Sequence, residues 1–328
     1  MKILFIGGTG IISYACSRNC LDDGHEIYLL NRGKSFRPIP DGAVHLKADI
    51  SNSDLLKSIL RNQNFDVVVN WIAYTPDDVK RDYEIFSECT NQYVFISSAS
   101  AYSKPPKLPV IETHKLDNPF WKYSANKILC ENYLTDLHIN HGFPVTIIRP
   151  SHTYDHTKIP IHGGYTTLNR LLIGKKIIIH GDGTSLWTLT HHEDFAKGFI
   201  GILGNSKTIG EAFHITSDEV LTWDQICYIL ADAVRVKPKI IHIPSDFIRF
   251  HDEEWSEGLF GDKAFSMVFD NSKIKKLLPK YNTQISFVDG AKEIADYYFS
   301  DETRQIVDIE LDKKMDRMIS KYESVLNN

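Results

Sequence analysis

The apolar run Ile3-Leu4-Phe5-Ile6 meets Gly7-Gly8-Thr9-Gly10 directly and then opens into a helical pattern from about residue 11 to residue 23. A buried strand, a glycine turn and a helix in immediate succession constrain the chain to a layered arrangement, because the helix must fold back onto the strand it follows. Gly7 and Gly10 permit a tight turn and a close approach of backbone amides to an anion at the helix N-terminus. This local geometry receives a dinucleotide pyrophosphate, which makes Gly7, Thr9, Gly10, Ile11 and Ile12 candidate cofactor contacts. Ser13 stands where the pattern usually carries a third glycine for helix–strand packing.

The alternation continues downstream. Strand-like runs at residues 26–30, 44–47, 66–70, 92–97 and 145–149 are separated by helical stretches near 53–61, 77–88 and 123–139. The pattern predicts an α/β fold, a Rossmann-type doubly wound parallel sheet over residues 1–150. After Arg149-Pro150 it loosens, and residues 151–328 are expected to form a smaller substrate-binding region with returning sheet strands and a C-terminal helix. There, 177–180 and 211–215 read as strands bracketing a helix near 193–203. The tail, 303–328, places Met315, Met318, Ile319, Tyr322 and Val325 on one helical face.

Composition narrows the classes of partner. A net charge of −5 with interspersed signs argues against a nucleic-acid backbone, which selects concentrated positive charge. No apolar run reaches the ~18 residues of a membrane span, and the N-terminal run is too short for a secretory leader, so a cytoplasmic protein with no membrane partner is expected. The five cysteines lack metal or redox spacing and read as reduced thiols. His152 and His156 are bracketed by Pro150 and Pro160 without a matching ligand set, so no metal is expected.

Two tyrosines precede a lysine by four residues, Tyr123 with Lys127 and Tyr154 with Lys158. On a helix that spacing places phenol and ammonium on one face, where the cation is expected to lower a phenol pKa that is ordinarily about 10. Tyr123 opens a helical stretch with Ile128, Leu129 and Leu134 at helical spacing, whereas Tyr154 reads as lying in a loop. Tyr123 is therefore the candidate acid–base group. At the end of the second strand, Asn31-Arg32-Gly33-Lys34 stands where an NAD site usually carries an acid. Arg32 can pair with a 2′-phosphate, which favours NADP, with NAD as the alternative.

Together the glycine turn, Ala48-Asp49-Ile50, the segment from Val94 to Tyr102, Tyr123 with Lys127, Arg149-Pro150 and the run Thr190-His191-His192-Glu193-Asp194 resemble the extended short-chain dehydrogenase/reductase family, of the NAD-dependent epimerase/dehydratase type. The resemblance implies Ser98, Tyr123 and Lys127 as a catalytic trio: Tyr123 exchanging a proton with the substrate oxygen, Ser98 hydrogen-bonding it, and Lys127 holding the nicotinamide ribose. It further implies Asp49 and Ile50 at the adenine, and Ile72, Ala73 and Pro150 beside the cofactor. Two departures bear on the substrate. Ala99-Ser100 follows Ser98 where dehydratases carry an Asp-Glu pair, so 4,6-dehydration is not expected. Trp187 stands where sugar-nucleotide enzymes often place a diphosphate-binding arginine, and it reads either as a stacking surface for substrate or as a core residue. His152 reads as a substrate contact or a plain loop histidine.

The implied function is hydride and proton exchange with a secondary alcohol or ketone of a sugar or sugar-nucleotide-like substrate, by an epimerase or a ketoreductase. The alternative is a non-enzymatic nucleotide- or RNA-binding protein resembling the chloroplast stem-loop-binding proteins. A homodimer through helices 77–88 and 123–139 is expected, cyclic dimers being the commonest assembly.

Overall fold

The computed structural model describes residues 1–326. The first part runs β1 (Lys2–Ile6), α1 (Ile11–Asp22), β2 (Glu26–Asn31), β3 (Val44–Lys47), α2 (Ser53–Ile59), β4 (Val67–Asn70), α3 (Pro76–Phe86), β5 (Tyr93–Ile96), α4 (Lys122–His141) and β6 (Val145–Pro150). It continues through β7 (His152–Tyr154), α5 (Tyr165–Leu172), β8 (Lys176–His180), β9 (Leu186–Trp187), β10 (Leu189–His191), α6 (His192–Ile200), β11 (Ala212–Ile215), β12 (Leu221–Thr222), α7 (Trp223–Ala233) and β13 (Lys239–Ile243). The helices α8 (Ser245–Arg249), α9 (Glu253–Gly258), α10 (Ser272–Leu277), α11 (Phe287–Phe299) and α12 (Ile309–Leu326) follow.

Seven strands form one parallel sheet in the order β11-β6-β5-β4-β1-β2-β3. Side chains alternate across a strand, and here both faces are dry. Ile3 and Phe5 join the core beneath α1 and α6, whereas Leu4 and Ile6 join the core beneath α3 and α4. That double burial is why β1 reads as an unbroken apolar run. Between β1 and β4 the strand order reverses, which opens a crevice at their carboxyl ends beside the glycine turn.

The boundary at residue 150 does not divide the chain cleanly. β11 returns to the sheet beside β6, and α6 packs against α1 with Phe195 and Phe199 fully buried. Burial of each phenylalanine contributes about 1.5–3 kcal/mol, which ties the later chain into the N-terminal layer. Only β11 returns; β8 pairs instead with β13 in a separate two-stranded ribbon. Tyr154 lies in a strand, β7, rather than in a loop, because His152–Tyr154 pairs in parallel with β10. The last helix starts at Ile309, later than expected, and buries Met315, Met318 and Ile319 while Val325 stays exposed. Asn327 and Asn328, the end of the expected helix, lie outside the described residues. All five cysteines are unpaired thiols. Among the described residues no helix is long and apolar enough to cross a membrane, and no cluster of three ligating side chains is poised for a metal.

Candidate active site

The glycine turn sits at the crevice with Gly7 and Gly8 at positive φ. Gly8 is the more constrained: at φ +85, a Cβ there would stand 2.5 Å from Leu29 Cδ2. Ser13 fills the third-glycine position by accepting a 2.7 Å hydrogen bond from the Gly10 amide, which fixes the entry to α1. The turn lines a cleft of about 440 Å³ together with Ile72, Ser98, Tyr123, Lys127 and Pro150. Asn31 donates to the Gly7 carbonyl at 3.0 Å and so braces the turn. Arg32 is well exposed, its guanidinium 3.9 Å from the Asp49 carboxylate. Asp49 is exposed, Ile50 half-buried and Ala73 buried.

Across the cleft, β5 ends at Ile96, and Ser98 caps a short helical turn over Ala99–Ala101. Ser98 Oγ shares a 2.8 Å hydrogen bond with Ser100 Oγ, which in turn shares one of 2.7 Å with Ser124 Oγ on α4. This hydroxyl chain joins the strand end to the helix that carries Tyr123. Lys127 is 2% exposed. It donates 2.7 Å hydrogen bonds to the carbonyls of Ala73 and Ile96, and its ammonium lies over the faces of Phe95 and Tyr74.

The expectation that Lys127 lowers the pKa of Tyr123 is corrected by this geometry. Burial pushes the Tyr123 phenol up to about 12, against the opposing hydrogen bond with Ser98. The Lys127 ammonium points at the two carbonyls, 5.7 Å from the Tyr123 ring centroid. Burial brings Lys127 itself down to about 8. At neutral pH the site thus holds a protonated phenol, suited to proton donation, beside a largely charged lysine.

A second cavity of about 260 Å³ adjoins the cleft and is lined by Ser98, Tyr123, His152, Trp187 and Lys263 among others. Trp187 is buried and donates from Nε1 to His152 Nδ1 at 3.0 Å. Burial brings His152 down to about 3, so it is neutral, and with Nδ1 accepting, Nε2 carries the proton. Tyr154 is instead buried against His191 and Phe287, outside both cavities. Sequence reading missed Trp121, Ser124 and Lys263. Trp121 and Ser124 flank Tyr123 and carried a proximity signal; Lys263 lies in no motif.

Beneath the trio, Glu131 receives Arg149 Nε at 3.0 Å and Arg149 Nη2 at 2.6 Å, and Ser97 also donates to it. Glu131 follows Lys127 by four residues, so Tyr123, Lys127 and Glu131 share one stripe of α4.

A parallel doubly wound sheet with a glycine turn at its switch point defines a Rossmann-type protein. Within that class the chain belongs to the NAD dependent epimerase/dehydratase family, whose family model matches residues 3–216. It is 30% identical over 262 residues to the chloroplast stem-loop binding protein of 41 kDa b of Arabidopsis thaliana, covering 75% of this chain and 67% of that protein. It is 27% identical over 168 residues to the UDP-glucose 4-epimerase of Lactobacillus helveticus, 45% of this chain and about half, 51%, of that enzyme. The fold is shared with a dTDP-glucose 4,6-dehydratase from Bacillus anthracis solved with NAD, at a TM-score of 0.71, 18% identity, 92% coverage of this chain and 98% of that one. Dehydratases therefore stand among the relatives, and the expectation that set dehydration aside has no support from them.

Proposed function

We propose that this protein is an NAD(P)-dependent oxidoreductase or epimerase acting on a secondary alcohol or ketone of a sugar or sugar-nucleotide-like substrate. The observation that carries this reading is that Ser98 and Tyr123 line both the glycine-turn cleft and the adjoining cavity, so one hydroxyl pair serves two ligands. The cleft fits a dinucleotide because its backbone turn is free of side chains at Gly7, Gly8 and Gly10. Bound there, the nicotinamide supplies the hydride acceptor and donor. Tyr123 gives its proton to a carbonyl oxygen on reduction and takes one from a hydroxyl on oxidation. Ser98 donates a hydrogen bond to the same oxygen, relayed through Ser100 and Ser124 to α4. Lys127, on the wall of the same cleft, is the residue proposed to bind the ribose. His152 and Trp187, which line the same adjoining cavity, are the further substrate contacts of this reading. The acidic net charge of −5 and the intact trio favour an enzyme over a nucleic-acid binder.

NADP is the proposed cofactor, with Asn31 and Arg32 at the adenosine ribose, and Asp49, Ile50, Ile72, Ala73 and Pro150 around the remainder. The test is the nucleotide released on denaturing the purified protein, with Arg32→Ala as its partner. Arg32→Ala is expected to weaken NADP by about 1–3 kcal/mol and leave NAD nearly unchanged; equal losses for both would sink the assignment of Arg32 to the 2′-phosphate. Tightly held NAD would point to an epimerase, and NADP lost on dialysis to a ketoreductase.

A homodimer through α3 and α4 belongs to the same reading, supported by Leu129 and Ile139, exposed on α4 at 52% and 72%. Light scattering at micromolar concentration is expected to give twice the 37.5 kDa of one chain. A single species at the monomer mass rejects the dimer.

A further inference from the structure

The loop that joins β4 to α3, residues 71–75, forms one wall of the glycine-turn cleft through Trp71, Ile72 and Tyr74. It presses on the turn itself: a Cβ on Gly7 would stand 3.2 Å from Trp71 Cβ and 3.3 Å from Ile72 Cγ2. The same loop supplies the Ala73 carbonyl to which Lys127 donates. Whatever sets the path of this loop therefore sets both the wall of the cleft and the seat of the Lys127 ammonium.

Behind the loop lies a buried acid that does not itself line the cleft. Asp82 on α3 is fully buried, as is Asn70 at the end of β4. The Asp82 carboxylate accepts from Asn70 Nδ2, from Tyr93 Oη at 2.6 Å and from Arg81 Nη2 at 3.1 Å. A carboxylate only accepts, so the Asn70 amide turns its nitrogen to Asp82, which leaves Oδ1 to accept from the Ile72 backbone amide at 2.8 Å. Arg81 carries the connection to the other end of the loop, its Nη1 donating at 3.1 Å to Asp78. Asp78 in turn accepts from the backbone amides of Tyr74 and Thr75, at 3.0 and 2.9 Å. Burial works against the Asp82 charge and raises its pKa despite these donors. An apolar side chain would fill the same space without that penalty. What only an acceptor supplies here is the orientation of Asn70.

We propose that Asp82, acting through Asn70, is a positioning residue that fixes the loop 71–75 in the shape that receives the dinucleotide. This rests on the function proposed above, in which the cleft beside Gly7 holds the cofactor. Arg81 and Asp78 complete the brace by holding the loop at its second end. A wall already in place spares the ligand the ordering of that segment on binding. The brace is independent of Arg32, so its effect falls on NADP and NAD alike.

Fluorescence titration of the purified protein with NADPH and with NADH tests this without a sugar substrate. Asp82→Asn lets the group at 82 donate as well as accept, which frees the Asn70 amide to turn over. It is expected to weaken both cofactors about tenfold, the worth of roughly one hydrogen bond, and to quicken amide hydrogen exchange in residues 70–75. Asn70→Ala should do the same, and adding Asp82→Asn to it should cause little further loss of affinity, because the two act as one unit. Tyr93→Phe removes a different bond from the same carboxylate: it should lower stability yet leave loop exchange and both affinities unchanged. If Asp82→Asn does not fold, Asn70→Ala carries the same expectation. An equal loss of affinity in Tyr93→Phe, or unchanged affinity in the folded Asp82 and Asn70 variants, overturns the proposal. Failure of the unaltered protein to bind either cofactor rejects the cofactor cleft and this inference together, whereas tight binding that ignores both variants rejects the inference alone.

Discussion

Replacing Tyr123 by phenylalanine is expected to lower turnover by about 10²–10⁴-fold, the usual worth of a positioned acid–base group, while cofactor affinity is retained. The ring packs between Trp121 and Tyr74, at centroid distances of 5.0 and 6.3 Å, and phenylalanine preserves both contacts. Only the hydroxyl beside Ser98 is lost. Lys127→Ala should impair cofactor binding as well as turnover, because its ammonium bridges the ends of two strand–loop segments through Ala73 and Ile96. Tyr154→Phe should leave turnover within a few-fold, since that side chain lies outside both cavities. Steady-state kinetics on an accepted sugar substrate decides the matter. Full activity in the Tyr123 variant with loss in the Tyr154 variant would falsify the assignment.

Glu131→Ala is expected to destabilise the fold by about 3–5 kcal/mol, the scale of a buried ion pair deprived of one partner. Arg149 and Glu131 are 6% and 2% exposed. Burial works against the guanidinium charge, but Glu131 outweighs it and holds the Arg149 pKa above the ordinary arginine value. The remaining donors are satisfied by Tyr102 and the Glu112 carbonyl, at 2.8 and 2.7 Å, neither of which is a charge partner. Without Glu131 the buried cation beneath α4 loses its ion-pair partner and keeps only the more distant charge of the Glu112 carboxylate. Urea denaturation should show the loss as a lower midpoint with an unchanged slope. The double variant Glu131→Leu with Arg149→Met should recover most of it, since an apolar pair of similar volume removes the stranded charge. A single-variant loss below about 1 kcal/mol would mean that water reaches Arg149 and that the pair does not anchor α4.

Much of the candidate site was legible in local sequence. The glycine turn had a strand before it and a helix after it, and Tyr123 and Lys127 had one helical turn between them. These signals are local because they depend on backbone geometry over a few residues. The identity of Ser98 came from resemblance, since a serine at a strand end carries no periodic signature. The phenol pKa was misread because spacing places a lysine near a tyrosine but does not say what the ammonium will bond; the carbonyls of Ala73 and Ile96 come from elsewhere in the chain.

What the sequence determined by itself was the parallel sheet and the order of its parts, because alternating apolar runs and helical faces must be buried in layers. The tertiary structure alone decided which segments rejoin the sheet. β8 and β11 read alike as short apolar strands, yet only β11 finds an open edge beside β6, while β8 pairs with β13. It alone also brought Lys263 to the wall near Tyr123, and gave Trp187 its bond to His152. Those contacts join residues far apart in the chain, and no local periodicity records them; they exist only once the later chain has packed.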